Sequence, residues 1–384
     1  MKLARPYAVL LRLVKVAVPC AVADWPLVRI ITAAMIHFLL IASLILTMNI
    51  TASPQRKVIV PVNGAKPVGP YSPGLLAGDY LYLSGQGVRD ASGNVPEGLT
   101  AQTRQCLENV RAIVEAAGLT MQHIVHMQLY LERVSDLPEV DRIYAAYFPA
   151  APPARVVIGT AKMPTDTPVE MTAVAVRDLK LKKVVPLKNL KPLGHASSAV
   201  ATGSRIYLSG VYGPTHAEAE AALKQVLKEA KLSSEQVIFR NDYGTSASAM
   251  IPMHALPDQM QAAISAIAVK KKPTTREASA FCRADGKTIF CTVQTGADDG
   301  AKTVADQVRA VMQQLYAGLE KHGATLSQIT ATNVYLDDIR EFKAMNETYA
   351  SFFPGLPPTR TTVQPFAVQG RAPLVRISIV AVKE

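Results

Sequence analysis

The 384-residue sequence has only four cysteines, and aromatic residues make up just 6% of it. Its seven histidines show no metal spacing; His123 and His126 stand three apart with no cysteine or acidic pattern beside them. A spaced His/Cys zinc site is therefore not expected, and no metal is assigned. No glycine-rich phosphate loop follows a strand-like run, and no nucleophile elbow occurs, so no cofactor is expected either. The formal net charge of +11 could draw nucleic acid, anionic lipid or small anions. The lysines, however, cluster in short linker-like runs (Lys180, Lys182, Lys183, Lys188 and Lys191; Lys270, Lys271 and Lys272), without aromatics interleaved to stack bases. No nucleic-acid partner is expected. With 49% hydrophobic and 18% charged residues, disorder is not the default, and the length suits two or three compact units.

The N-terminus differs from the rest. Lys2, Arg5, Arg12, Lys15 and Arg29 precede a charge-free run from residue 30 to 55 with the apolar core "IITAAMIHFLLIASLILTM". A run of that length can cross a bilayer as a helix. Basic residues before it and small residues after it suit an export signal cleaved near Ala52, or an uncleaved single-span anchor. Residues 1–52 are read as signal peptide or membrane anchor, the only expected membrane contact. The bulk of the chain is expected outside the cytoplasm, periplasmic, secreted or membrane-anchored.

The remainder repeats itself. "AGDYLYLSGQ" at 77–86 resembles "TGSRIYLSGV" at 202–211 and, more faintly, "DGKTIFCTVQ" at 285–294. Each places glycine and a polar residue between two apolar runs (Gly78-Asp79, Gly203-Ser204, Gly286-Lys287), which predicts a two-residue hairpin turn with positive φ at the glycine. A helix-period face follows each, through Leu107 and Val110, through Leu223 and Val226, and through Val304, Val308 and Val311. Then come a strand, in copies one and three a second helix, and a strongly apolar last strand. The expected units are residues 62–178, 190–270 and 276–384, the middle one lacking its second helix. Units of this size read as whole domains, each a sheet with helices on one face.

"YAAYFPAAPPAR", ending at Arg155, returns as "YASFFPGLPPTR", ending at Arg360. Copy one also carries "GPYSPG" at 69–74, "YLSGQ" at 82–86 and "VE" ending at Glu170. With these motifs in this order, the chain resembles the RidA (YjgF/UK114) family of enamine/imine deaminases. The resemblance implies an α+β, chorismate-mutase-like fold. Three copies in one chain imply an intramolecular pseudo-trimer with a central β-barrel and outer helices, and ligand clefts between copies. It also implies hydrolysis of small 2-imino or 2-enamino acids to 2-oxo acids and ammonia, as in 2-iminobutanoate/2-iminopropanoate deaminases. The expected partners are small 2-imino or 2-oxo carboxylic acids.

Such chemistry needs a cation for the carboxylate and a group that moves protons for the water. Arginine's planar fork suits the first task, and by resemblance Arg155 is the anchor. Glu170 is the expected general base. Tyr71, Ser84 and Gly85 resemble the cleft wall, and Asp141 stands where the family has asparagine, which copy three keeps as Asn346. Copy three has Arg376 at the glutamate position and copy two has Ala263, so one competent site is expected, using Arg155 with Glu170. The other two clefts are expected to be degenerate or to bind anions without chemistry, Arg360 and Arg376 together being able to hold a carboxylate or phosphate but not to activate water. The alternatives are a non-catalytic carboxylate-binding module and, more remotely, an RNA-binding or ribonuclease protein. In the third hairpin, Cys282 and Cys291 fall opposite each other across the turn, at a position where a disulfide is sterically possible.

Overall fold

The computed structural model describes residues 56–383 except 247–248, 274–280, 297–299 and 367–372. The apolar run at 30–55, and with it the expected leader or anchor, lies outside these residues. Among the described residues no helix is long and apolar enough to cross a membrane.

The first repeat runs β1 (Lys57–Ile59), β2 (Gly74–Ala77), β3 (Tyr80–Leu83), α1 (Leu99–Ala116), β4 (Ile124–Leu131), α2 (Leu137–Tyr147), β5 (Ala154–Gly159) and β6 (Val169–Val176). Its sheet order is β1-β2-β3-β6-β4-β5. Strands β4 and β5 are parallel, which demands a crossover, and α2 supplies it. The second repeat has β7 (Lys182–Val185), β8 (Ala199–Thr202), β9 (Arg205–Leu208), β10 (Val211–Gly213), α3 (His216–Glu229), β11 (Val237–Gly244), β12 (Ile251–Pro252) and β13 (Ala262–Val269). The third has β14 (Cys282–Asp285), β15 (Thr288–Thr295), α4 (Val304–Glu320), β16 (Ile329–Leu336), α5 (Phe342–Ala350), β17 (Thr359–Val363) and β18 (Val375–Val382), in the order β14-β15-β18-β16-β17.

Local chemistry explains the repeated pattern. Gly78, Gly203 and Gly286 open the three hairpin turns at φ +57, +52 and +60, a region closed to most side chains. The flanking pairs Ala77–Tyr80, Thr202–Arg205 and Asp285–Thr288 close two-residue loops. Thr215 and Thr303 cap α3 and α4, their side-chain oxygens accepting from the amides of Glu218 and Asp306. Along α1, Cys106, Leu107, Val110, Ile113 and Val114 form one buried stripe against the sheet. In the third hairpin Cys282 and Cys291 sit directly opposite and are joined by a disulfide, with Cα atoms 4.1 Å apart.

Each sheet is buried on both faces. Its outer face packs on its own helices, and the three outer cores are separate. Its inner face packs on the other two sheets: one inner cluster joins Tyr82, Tyr207, Phe239 and Phe290, and a second joins Tyr130, Tyr243 and Tyr335. These last three tyrosines occupy matching positions, opposite Glu170, Ala263 and Arg376 respectively. Tyr243 Oη lies 3.0 Å from Tyr335 Oη and accepts from Gln128 Nε2 at 3.1 Å. Full burial of each such side chain stabilises by about 1.5–3 kcal/mol, which no single repeat could gain alone.

The middle repeat is truncated where the other two carry their arginine motif. Strand β5 pairs six residues with β4, and β17 pairs five with β16. Strand β12 pairs only two with β11, and among the described residues no helix stands between them.

Candidate active site

Arg360 lies on β17, one residue beyond Pro357 and Pro358 with Thr359 between, opposite Thr332 of β16. The residue is 3% exposed, and its guanidinium is ringed by Tyr71, Phe342 and Tyr349, with ring centroids 5.3, 5.4 and 5.1 Å away. Nη1 meets only the Met345 sulfur at 4.0 Å, and Nη2 is buried without a hydrogen-bond partner. Such a group is costly to leave unpaired, because burial opposes the charge and pushes the Arg360 pKa down. Phe342, Met345 and Tyr349 all come from α5, so the third repeat supplies the socket as well as the arginine.

The carboxyl that shares this cavity comes from the first repeat. Glu170, on β6, is 7% exposed, and burial raises its pKa to about 8, with Arg360 pulling the other way. Gly85 leaves room for it, since a Cβ there would collide with the Glu170 carboxylate. The seam between the two repeats is fixed by backbone bonds. Gly85 N donates to Arg360 O at 3.1 Å and Ser72 N to Pro358 O at 3.0 Å, while Ser72 Oγ donates to Pro357 O at 2.6 Å. The resulting cavity is about 70 Å³ and is lined by Tyr71, Gly85, Glu170, Phe342, Arg360 and Thr362, with Lys66, Arg89 and Asn109 also on its wall.

Tyr71 lines the cavity as expected, its Oη accepting from Val68 N at 3.1 Å, and its pKa is raised chiefly by burial. Ser84 does not face the cavity. It sits behind the wall, donating to Pro73 O at 3.1 Å and accepting from Gln86 Nε2 at 2.9 Å. Asn346, at the position corresponding to Asp141, keeps its Oδ1 buried and unpaired, near enough to Gly69 that a Cβ there would press on both Asn346 and Arg360.

The expected pairing of Arg155 with Glu170 is overturned. Arg155 lies opposite Met127 and Glu170 opposite Tyr130, on strands flanking β4 from opposite sides. Three residues along a strand is an odd offset, so the two side chains leave opposite faces of the sheet. Arg155 instead belongs to the seam between the first and second repeats. Its Nη1 bonds Asp141 Oδ1 at 2.5 Å, its Nη2 donates to Leu193 O at 2.7 Å, and its guanidinium stacks on Tyr144 at 4.5 Å. The other Asp141 oxygen accepts from His195 N at 3.2 Å. Asp141 is thus a partner of Arg155 and not part of the Glu170 cavity. In that seam Ala263 holds the glutamate position, and the Tyr212 ring fills the space at Gly210, its Oη bonded to the Val157 amide and carbonyl at 2.8 and 3.0 Å.

The expectation that Arg360 and Arg376 share one anion site is corrected in the same way. Arg360 faces Glu170 of the first repeat. Arg376 stands at the glutamate position opposite Tyr335 and donates to Pro373 O at 3.2 Å. The second Pro-Pro-x-Arg motif was visible in the sequence, but the seam to which it contributes was not. Lys66, Arg89 and Phe342 were not singled out as wall residues at all. Among the described residues no cluster of His, Cys, Asp and Glu could hold a metal ion.

The endoribonuclease L-PSP family profile matches residues 63–177 and 270–383, together more than half of the chain. The 2-iminobutanoate/2-iminopropanoate deaminase of Escherichia coli is 39% identical over 127 residues, covering 32% of this chain and 99% of its own. A RutC family protein of Pyrococcus horikoshii is 36% identical over 126 residues, 32% of this chain and 100% of its own. Among solved structures, the yjgF gene product of E. coli is 38% identical, covers 32% of this chain and 99% of its own, and has a TM-score of 0.31. Each relative corresponds to about one repeat of this chain. With two such repeats matched, the chain belongs to the endoribonuclease L-PSP (RidA/YjgF) family.

Proposed function

We propose that the protein hydrolyses small 2-imino acids to 2-oxo acids and ammonia at a single competent cleft, formed by Glu170 of the first repeat and Arg360 of the third. The observation that carries this reading is a buried guanidinium with an unpaired Nη2 sharing one small cavity with a carboxyl whose pKa is raised to about 8. The three sheets are read as a covalent pseudo-trimer around a central barrel. Of its three seams, one keeps both partners, one neutralises its arginine with Asp141, and one has Arg376 in place of the acid.

The substrate carboxylate pairs with Arg360 through charge-assisted hydrogen bonds. Glu170, protonated near neutrality, gives its proton to the imine nitrogen. The carboxylate so formed takes a proton from water as the water oxygen bonds to the imine carbon, giving a carbinolamine. Glu170 then passes that proton to the amino nitrogen, and ammonia leaves as the carbinolamine hydroxyl returns its proton to Glu170. The acid is restored and the 2-oxo acid is released.

The test supplies enzymatically generated 2-iminopropanoate and follows its decay. Wild type should accelerate it, while Arg360→Ala and Glu170→Gln should not. Ligand binding that survives Glu170→Gln, with no rate gain in wild type, would favour the carboxylate-binding module instead. The residues lining the cavity include no histidine, which gives a ribonuclease reading little support. We also place the folded repeats outside the cytoplasm, on the strength of the basic residues and apolar run that precede them. Fractionation of cells carrying the full chain tests that placement.

A further inference from the structure

Arg360 accounts for one carboxylate, yet the same cavity has two more cations on its wall. Arg89 follows the third strand of the first repeat. It donates Nη1 to Gly93 O at 3.1 Å and Nη2 to Thr165 O at 3.4 Å, the second a long and weak bond. Its Nε is buried without a partner. The adjacent Asp90 does not neutralise it: that carboxylate accepts from Ser92 N and Asn94 N, both at 2.8 Å, and from Asn94 Nδ2 at 3.1 Å. Lys66 lines the cavity as an exposed residue. Among the described residues Glu170 is the one acidic side chain on the wall.

Three cationic residues therefore line the cavity with one carboxyl, which burial keeps protonated near neutrality. A monocarboxylate would balance one of them. A second carboxylate on the side chain of the same substrate would meet Arg89, whose Nη donors are held by backbone carbonyls rather than by a fixed anion and whose Nε has no partner. Guanidinium suits that task through its planar set of donors.

We infer that the cleft prefers dicarboxylic 2-imino acids, the imines of acidic amino acids such as 2-iminosuccinate and 2-iminoglutarate, with Arg89 as the specificity-determining residue. This rests on the imine-hydrolase reading of the same cleft.

The experiment compares 2-iminosuccinate with 2-iminopropanoate, each generated in situ by an amino-acid oxidase, using the full chain. The dicarboxylic imine should have the higher kcat/KM. The ratio of the two values should fall about tenfold or more in Arg89→Gln, chiefly through KM, as expected for one lost charge-assisted interaction. Arg89→Lys should recover part of it. A wild-type preference for the monocarboxylic imine, or a ratio unmoved in Arg89→Gln, overturns the inference while leaving the hydrolase reading intact. Decay of neither imine would overturn the hydrolase reading itself. Recognition is then judged by calorimetry: tighter binding of 2-oxoglutarate than of 2-oxobutanoate, lost in Arg89→Gln, supports the dicarboxylate preference, and equal binding ends it.

Discussion

Removing the charge of Glu170 without changing its shape should make the protein more stable at alkaline pH and inactive at every pH. The Glu170 pKa rises from the ordinary 4.5 to about 8 because the carboxyl is buried. The unfolded chain releases this proton near its ordinary value, whereas the folded chain holds it until about pH 8. Between those limits the native state binds more protons than the unfolded one, so stability falls as pH rises. The contribution is fully present below about 4.5, lost progressively up to about 8, and flat beyond. At roughly 1.4 kcal/mol per pKa unit, the full loss is on the order of 4–5 kcal/mol, an upper figure because relaxation and water entry reduce it. Glu170→Gln has no such term. Urea unfolding of wild type and variant at pH 5, 7 and 9 should therefore show a stability difference that moves toward the variant by a few kcal/mol across the series. A difference that stays constant with pH would refute the buried, protonated acid, and with it the proton donor of the proposed mechanism. Pairing of a ligand carboxylate with Arg360 should raise the Glu170 pKa further, so binding near pH 8 should take up protons, measurable by calorimetry in buffers of different ionisation enthalpy.

The two repeated arginines should behave differently. Arg360→Ala should abolish imine decay and carboxylate binding with modest loss of stability. Arg155→Ala should leave Asp141 without its partner and cost about 3–5 kcal/mol in denaturant unfolding. Equal activity losses for the two variants, with no difference in stability, would contradict the assignment of the arginines to separate seams. Gly85→Ala should displace the Glu170 carboxylate and cut kcat while the circular dichroism spectrum and melting temperature change little. Full activity in that variant would show that the carboxyl need not lie over Gly85. Reducing the Cys282–Cys291 disulfide, whose cysteines are nine residues apart, should lower stability by about 2–3 kcal/mol on the loop-entropy scale, read by urea unfolding with and without reductant. Because that hairpin lies in the third repeat, away from Glu170, activity should persist under reduction. Loss of activity would tie the hairpin to the cleft.

Much of the architecture was legible because it depends on local rules. A glycine followed by a polar residue between apolar runs marks a tight hairpin wherever it occurs, and all three such turns formed. The apolar periodicities placed α1, α3 and α4, and the short stretch between the β11 and β13 segments announced that the middle repeat lacks a second helix. The Cys282–Cys291 pairing also followed from counting outward from Gly286. The alignment of Glu170, Ala263 and Arg376 was readable too, and the three sheets put these residues opposite equivalent tyrosines.

What the chain determined by itself was therefore the kind of unit, its repetition and the residue types available for chemistry. What only the tertiary structure decided was which arginine meets which carboxylate. The Pro-Pro-x-Arg strand and the glutamate strand of one repeat flank the same central strand, but their side chains leave it on opposite faces. Neither arginine therefore meets the glutamate of its own repeat: Arg155 pairs with Asp141 beside it, and Arg360 shares a cavity with Glu170 of a different repeat. Sequence distance carries no information about which repeat supplies the partner, because that depends on how the inner sheet faces pack on one another. Arg155 and Glu170 are separated by fifteen positions and face different seams; Arg360 and Glu170 are separated by 190 and share a cavity.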